Sequence, residues 1–125
     1  MTENELAKMV VHLGLKVHRA LGPGLLESVY EECLCYELKK NNVYFERQAK
    51  IPIHYDGNQL ETNLKLDLIL ENKLIVELKA VKSIQPIDMA QTLTYLRLSN
   101  CKLALLINFN VSLFKQGIHR IINDK

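Results

Sequence analysis

The run "LKLDLILENKLIVELKAV", residues 64–81, is mostly aliphatic, yet it carries Asp67, Glu77 and Lys79 among its leucines and valines. Side chains alternate faces along a strand. If the run is a hairpin, Leu64, Leu66, Leu68, Leu70, Leu74, Val76, Leu78 and Ala80 make one unbroken apolar face. A three-residue loop at residues 71–73 keeps that face by pairing Leu70 with Leu74, whereas a two-residue loop breaks it. The favoured register sets Asp67 opposite Glu77 and Lys65 opposite Lys79, with opposed Cβ atoms about 4.5–5.5 Å apart. In the commonest such loop Lys73 needs a positive φ, an awkward demand on a residue that is not glycine. Like charges side by side in a partly buried place cost stability unless something positive lies between them. Two solutions stay open at this level. A divalent cation such as Mg²⁺ takes oxygen ligands and needs little else from the protein. Alternatively, Lys79 or an arginine elsewhere neutralises both acids in a structural triad.

The elements that must position these residues follow from periodicity. Thr2 followed by Glu5 reads as a capping box, and Leu6, Met9, Val10, Leu13, Val17 and Leu21 recur at helical spacing, predicting a helix over 3–20. "LGPG" stops it: Gly22 suits a left-handed cap, Pro23 forbids continuation and Gly24 allows a close turn. A second helix starts near Leu25 and fades at "KKNN". "VYFERQ" and "IPIHY" read as strand segments, and "DGNQ" as a hairpin turn leading to a strand from about Leu60 to Leu70. After the second hairpin comes a helix over 87–98, then "KLALLINF" as an interior strand. That helix serves as a crossover making the strands before and after it parallel. "GIHRIIN" is ambiguous between an edge strand and a short helix. The expected class is α/β leaning to α+β.

Composition narrows the setting. The 125 residues, 48% apolar and 24% charged, fit one globular domain over 1–125. A net charge of +2 does not by itself argue for nucleic acid, so any electropositive groove is local. Cys33, Cys35 and Cys101 show no zinc-like spacing and read as free thiols of a reducing cytoplasm. The amino terminus lacks the apolar core of a signal peptide, and no run is long enough to span a membrane. A cytoplasmic protein without a membrane partner is the expectation.

An Asp ten residues ahead of Glu-x-Lys on adjacent strands, here Asp67 and Glu77-Leu78-Lys79, resembles the core of the PD-(D/E)XK nucleases. "GLLESVY", with Gly24, Glu27 and Tyr30, resembles the signature of the GxxExxY proteins, and the likeness runs over residues 5–122. "QTLTY", with Gln91 and Tyr95, is similar to a helix motif of the RecB-like and Cas4-like branches, where His18 is the candidate for an early-helix histidine. The resemblance implies a restriction-endonuclease-like core, a mixed sheet flanked by helices. It implies Mg²⁺ or Mn²⁺ held by Asp67, Glu77, the Leu78 carbonyl and Glu27, with Lys79 positioning water and offsetting phosphate charge. The proline before the motif aspartate is replaced by Leu66.

Phosphodiester hydrolysis needs an activated water, a Lewis acid and help for the leaving alkoxide. The expected function is therefore a metal-dependent nuclease-like phosphodiesterase, with DNA ahead of RNA as partner. The alternatives are a non-catalytic nucleic-acid-binding or assembly protein that keeps the fold, and a purely structural domain. Glu27 also reads as plain helix-dipole stabilisation, and Tyr95 as core. Arg19, Lys65, Lys82 and Arg97 are solvated charges unless one shares a wall with Asp67. Tyr44, Phe45, Tyr55, Phe109 and Phe114 do not interleave with basic residues as a single-strand stacking platform requires. So small a chain is compatible with a homodimer or a larger complex.

Overall fold

The computed structural model describes residues 1–124. The chain runs α1 (Glu3–Leu21), α2 (Glu27–Lys40), β1 (Phe45–Tyr55), β2 (Asn58–Leu70), β3 (Leu74–Lys79), α3 (Pro86–Ser99), β4 (Leu103–Asn108) and β5 (Ile118–Ile122). The strands lie in one sheet in the order β1-β2-β3-β4-β5. Among the described residues only β3 and β4 run parallel, with α3 between them in the chain. This is an α+β fold built on a mixed sheet.

Local chemistry sets the ends of the helices. Glu5 N–H donates to Thr2 Oγ1 at 3.1 Å and Thr2 N–H donates to Glu5 Oε1 at 2.8 Å, the reciprocal capping box. Asp88 Oδ2 accepts the Gln85 N–H at 2.8 Å, and Pro86 sits in the first turn of α3, where its missing N–H is harmless. Helices cover both faces. Leu6, Val10 and Val17 of α1 and Leu34 and Leu38 of α2 pack on Leu68, Leu70, Val76, Leu78 and Leu105. Leu96 of α3 packs with Ile69, Ile75, Ala104 and Leu106 on the other face.

Several details depart from the sequence reading. Positive φ in the β2–β3 loop falls on Glu71 (48°) and Asn72 (56°) instead of Lys73, whose N–H donates to Leu70 O at 2.9 Å. Positive φ at both central residues suits the right-handed twist of a hairpin. Gly22 has φ 71° but an extended ψ of −178°, so it is not a left-handed helical cap. The two segments in residues 43–55 form one strand, and the tail resolves to edge strand β5 behind a 3₁₀ turn at Phe114–Gly117. All three cysteines are free thiols. Among the described residues no helix is long and apolar enough to cross a membrane.

Candidate active site

The β2–β3 register follows the apolar pattern through Leu70↔Leu74, Ile69↔Ile75 and Leu68↔Val76. There the ladder ends, and Asp67 Oδ2 accepts the Leu78 N–H at 2.8 Å where the next rung would have been. A strand residue sends its N–H and C=O out on the same edge, so the Leu78 carbonyl also leaves toward the gap beside Asp67.

The apolar face is therefore not unbroken. Leu68 packs under α1 and α2, but Leu66 packs on the α3 side. Opposite this break, Gln48 of β1 has φ 52°, and the β1–β2 register passes from Arg47↔Leu68 to Ala49↔Leu66. Left-handed backbone costs a non-glycine residue roughly 1–2 kcal/mol. Arg47 and Gln48, neighbours that a regular strand would point to opposite faces, both reach Glu31 of α2. Such an irregularity re-aims side chains, and here it sits at Asp67. Lys65 pairs with Lys50 across the β1–β2 ladder, while the β2–β3 ladder stops before the expected Asp67–Glu77 and Lys65–Lys79 rungs.

Glu27, Lys65, Asp67, Glu77, Lys79, Gln91, Thr92 and Tyr95 line one polar cavity of about 150 Å³. The wall thus draws on α2, β2, β3 and α3. Glu77 is buried, and among the described residues its Oε1 has no hydrogen-bond partner. Burial, then the Asp67 charge, pushes its carboxyl up to about 9, with Lys79 pulling weakly the other way. Burial also raises Glu27, helped by Asp67 and opposed by Lys79. The Tyr95 phenol is raised by burial and by the two acids Glu77 and Asp67. Lys79 Nζ lies 4.0 Å from Asp88 Oδ1, so the pocket lysine is held from α3.

Tyr30 explains how Glu27 arrives. Its ring is fully buried and stacks on Phe109 with centroids 4.5 Å apart and planes at 11°. Its hydroxyl donates to Gly22 O at 2.6 Å and accepts the Leu25 N–H at 3.1 Å. Gly24 turns with φ 100°, a conformation open to glycine. The Gly24–Glu27–Tyr30 spacing is thus a clamp that starts α2 with Glu27 at the pocket wall.

His18 does not line this cavity. Its ring lies 5.5 Å from Phe114 and 6.4 Å from Phe109, and Nε2 is 2.8 Å from Val111 O. A carbonyl only accepts, so Nε2 carries the proton; the residue is a core histidine satisfied by backbone. Of the four cations weighed for backbone contact, Lys65 shares the wall with Asp67, while Arg19, Lys82 and Arg97 do not.

The donor chemistry fits a small hard cation: Glu77 Oε1 is a buried, unpartnered oxygen beside a second carboxylate and a free strand edge. Asp67 and Glu77 with the Leu78 carbonyl would hold it. Among the described residues no three His, Cys, Asp or Glu side chains already form a finished cage, and Glu27 is a third acid of the pocket wall.

Sequence reasoning missed Glu31, Gln48, Asp88 and Asn108. Buried Asn108 accepts the Val81 N–H at 3.1 Å and donates to Val81 O at 2.9 Å, fixing the backbone just after Lys79. A lone amide in the apolar run "LALLIN" was the available signal. For Gln48 none existed, since its left-handed backbone is imposed by tertiary contacts.

Comparison with curated proteins and with solved structures gives no match. Residues 4–121 match the family model of the PD-(D/E)XK nuclease superfamily. That span takes in every wall residue of the pocket and all of the mixed sheet except Ile122, the last residue of β5, and the chain belongs to the PD-(D/E)XK nuclease superfamily.

Proposed function

We propose that this chain, read as one domain, is a Mg²⁺- or Mn²⁺-dependent phosphodiesterase that hydrolyses DNA, with RNA as the second substrate class. The observation that carries the reading is the orphaned Glu77 Oε1 beside Asp67, in a pocket that also holds Lys79, Gln91 and Tyr95. The Gly24–Glu27–Tyr30 clamp supports placement among the GxxExxY proteins, and Gln91 with Tyr95 on one wall supports the RecB-like and Cas4-like likeness. When bound, the metal supplies a polarised phosphate oxygen and an acidified water.

The side chains supply the rest. Asp67, Glu77 and the Leu78 carbonyl are the ligands, with Glu27 as the further acid. Lys79, held near Asp88, places its ammonium where the attacking water and phosphate charge meet. Gln91 offers an amide to a phosphate oxygen, and Tyr95 closes the α3 side of the pocket. Lys65 and Lys50 stand directly opposed on adjacent strands, an arrangement unfavourable in itself and suited to a phosphate backbone at the pocket mouth. A non-catalytic nucleic-acid-binding protein is the second reading, favoured by the lack of a finished three-acid cage among the described residues.

Incubation with single-stranded, duplex and flapped DNA and with RNA, in Mn²⁺, Mg²⁺ or chelator, separates these readings. Metal-dependent cleavage that disappears in Asp67→Ala is expected. Metal and nucleic-acid binding without cleavage of any substrate would transfer the assignment to the second reading.

A further inference from the structure

Glu31 stands beside the pocket without lining it. Its Oε2 receives Arg47 Nε at 2.6 Å and its Oε1 receives Gln48 Nε2 at 2.9 Å. The same Gln48 nitrogen lies 3.5 Å from Asp67 Oδ1, while Asp67 Oδ2 holds the Leu78 N–H at 2.8 Å. One side-chain amide carries two N–H donors, so Gln48 can serve a neutralised acid and a pocket acid at once. Its backbone, at φ 52°, brings the side chain to the same side as Arg47. Glutamine has no intrinsic preference for that conformation, and strain of this kind persists where the surroundings impose it.

We propose that Gln48 is a positioning residue for Asp67. Anchored on Glu31, its amide fixes the rotation of the Asp67 carboxylate, so that Oδ2 stays on the Leu78 N–H and the acid meets the pocket in one orientation. An amide suits the task, because a lysine or arginine at this place would set a full positive charge against an incoming cation. The consequence for metal binding rests on Asp67 being a ligand; the positioning itself does not.

The test uses Gln48→Met, which keeps the length and loses both donors, and Gln48→Gly, which accepts the left-handed backbone. In the metal-free protein, amide hydrogen exchange is followed at Leu78 and at Val76, one rung inside the ladder. Calorimetry then measures Mn²⁺ affinity. Leu78 should exchange faster than in wild type with Val76 unchanged, and Mn²⁺ should bind about tenfold more weakly or worse. If Gln48→Met does not fold, Gln48→Gly carries both readouts. Unchanged exchange at Leu78 overturns the proposal. Leu78 and Val76 accelerating together overturns it too, since that marks a general loss of stability. Should wild type bind no Mn²⁺, the metal reading fails, and exchange at Leu78 alone decides whether Gln48 holds Asp67.

Discussion

Glu31 and Glu77 are 6% and 7% exposed, yet their surroundings differ completely. Glu31 has a guanidinium on one oxygen and an amide on the other, at 2.6 and 2.9 Å. Glu77, on a central strand, has an oxygen with no partner among the described residues and a second acid as its neighbour. The fold therefore has the means to neutralise a buried carboxylate and applies them on α2 but not on β3. An unpaired buried acid is costly, and the cation proposed for this pocket would offset that cost beside Asp67. The hairpin shows the same division along its length. From Leu68 to Val76 it is a dry, paired ladder, and past that point it opens into the polar pocket.

The largest expected effect comes from removing the two acids at the pocket. Asp67→Ala and Glu77→Ala should each lower metal-dependent cleavage by about a thousandfold, whereas Glu31→Gln should lower it by about tenfold. Initial rates at fixed Mn²⁺ would show it, and equal losses at Glu31 and Glu77 would erase the contrast.

Stability should move in opposite directions at the two glutamates. Metal-free Glu77→Gln should gain on the order of 2 kcal/mol at pH 7, because it removes the proton uptake that burial and Asp67 impose on Glu77 when the chain folds. Glu31→Gln should lose about 2 kcal/mol by leaving Arg47 without its carboxylate. The pH sign follows from Glu77, held up to about 9 from the ordinary 4.5. Folded Glu77 keeps its proton while the unfolded chain has released it. Its stability contribution is complete below pH 4.5 and is lost as pH rises toward about 9. The slope approaches about 1.4 kcal/mol per pH unit, and Glu77→Gln should flatten it. Urea unfolding from pH 5 to 9 measures both effects.

Smaller changes probe the frame around the acids. Tyr30→Phe removes the hydroxyl shared by Gly22 O and the Leu25 N–H. It should lower stability by about 1 kcal/mol and loosen Glu27; an unchanged melting temperature would remove the clamp from the account. Lys65→Ala should weaken nucleic-acid binding and reduce the salt slope by about one. A slope equal to wild type would return Lys65 to the class of plain surface charges.

Much of this was legible before the fold was known. Alternation predicted the β2–β3 register as far as Leu68↔Val76 but not its end there, and the acids' misfit in an aliphatic run pointed to Asp67, Glu77 and Lys79, which line one pocket. Helical spacing put Gln91 and Tyr95 on one wall. What failed depended on tertiary contacts. His18 was drawn into an aromatic cluster with Phe109 and Phe114, as any histidine near buried rings and a free carbonyl can be. The break at Leu66, which packs on the α3 side, lies opposite Gln48, whose left-handed backbone carries its amide to Glu31 of α2, and no single residue type announces them. The positive φ of Glu71 and Asn72 shows the same limit at the loop.

The central claim is that Glu77 is left unserved for a cation. Calorimetric titration of Mn²⁺ into wild type and Glu77→Gln, at pH 7 in two buffers of different ionisation enthalpy, tests it most directly. The account predicts one-to-one binding to wild type with proton release, tightening as pH rises, and little or no binding to Glu77→Gln. Equal affinity in the two proteins, or no uptake by wild type at any pH from 6 to 9, would contradict it.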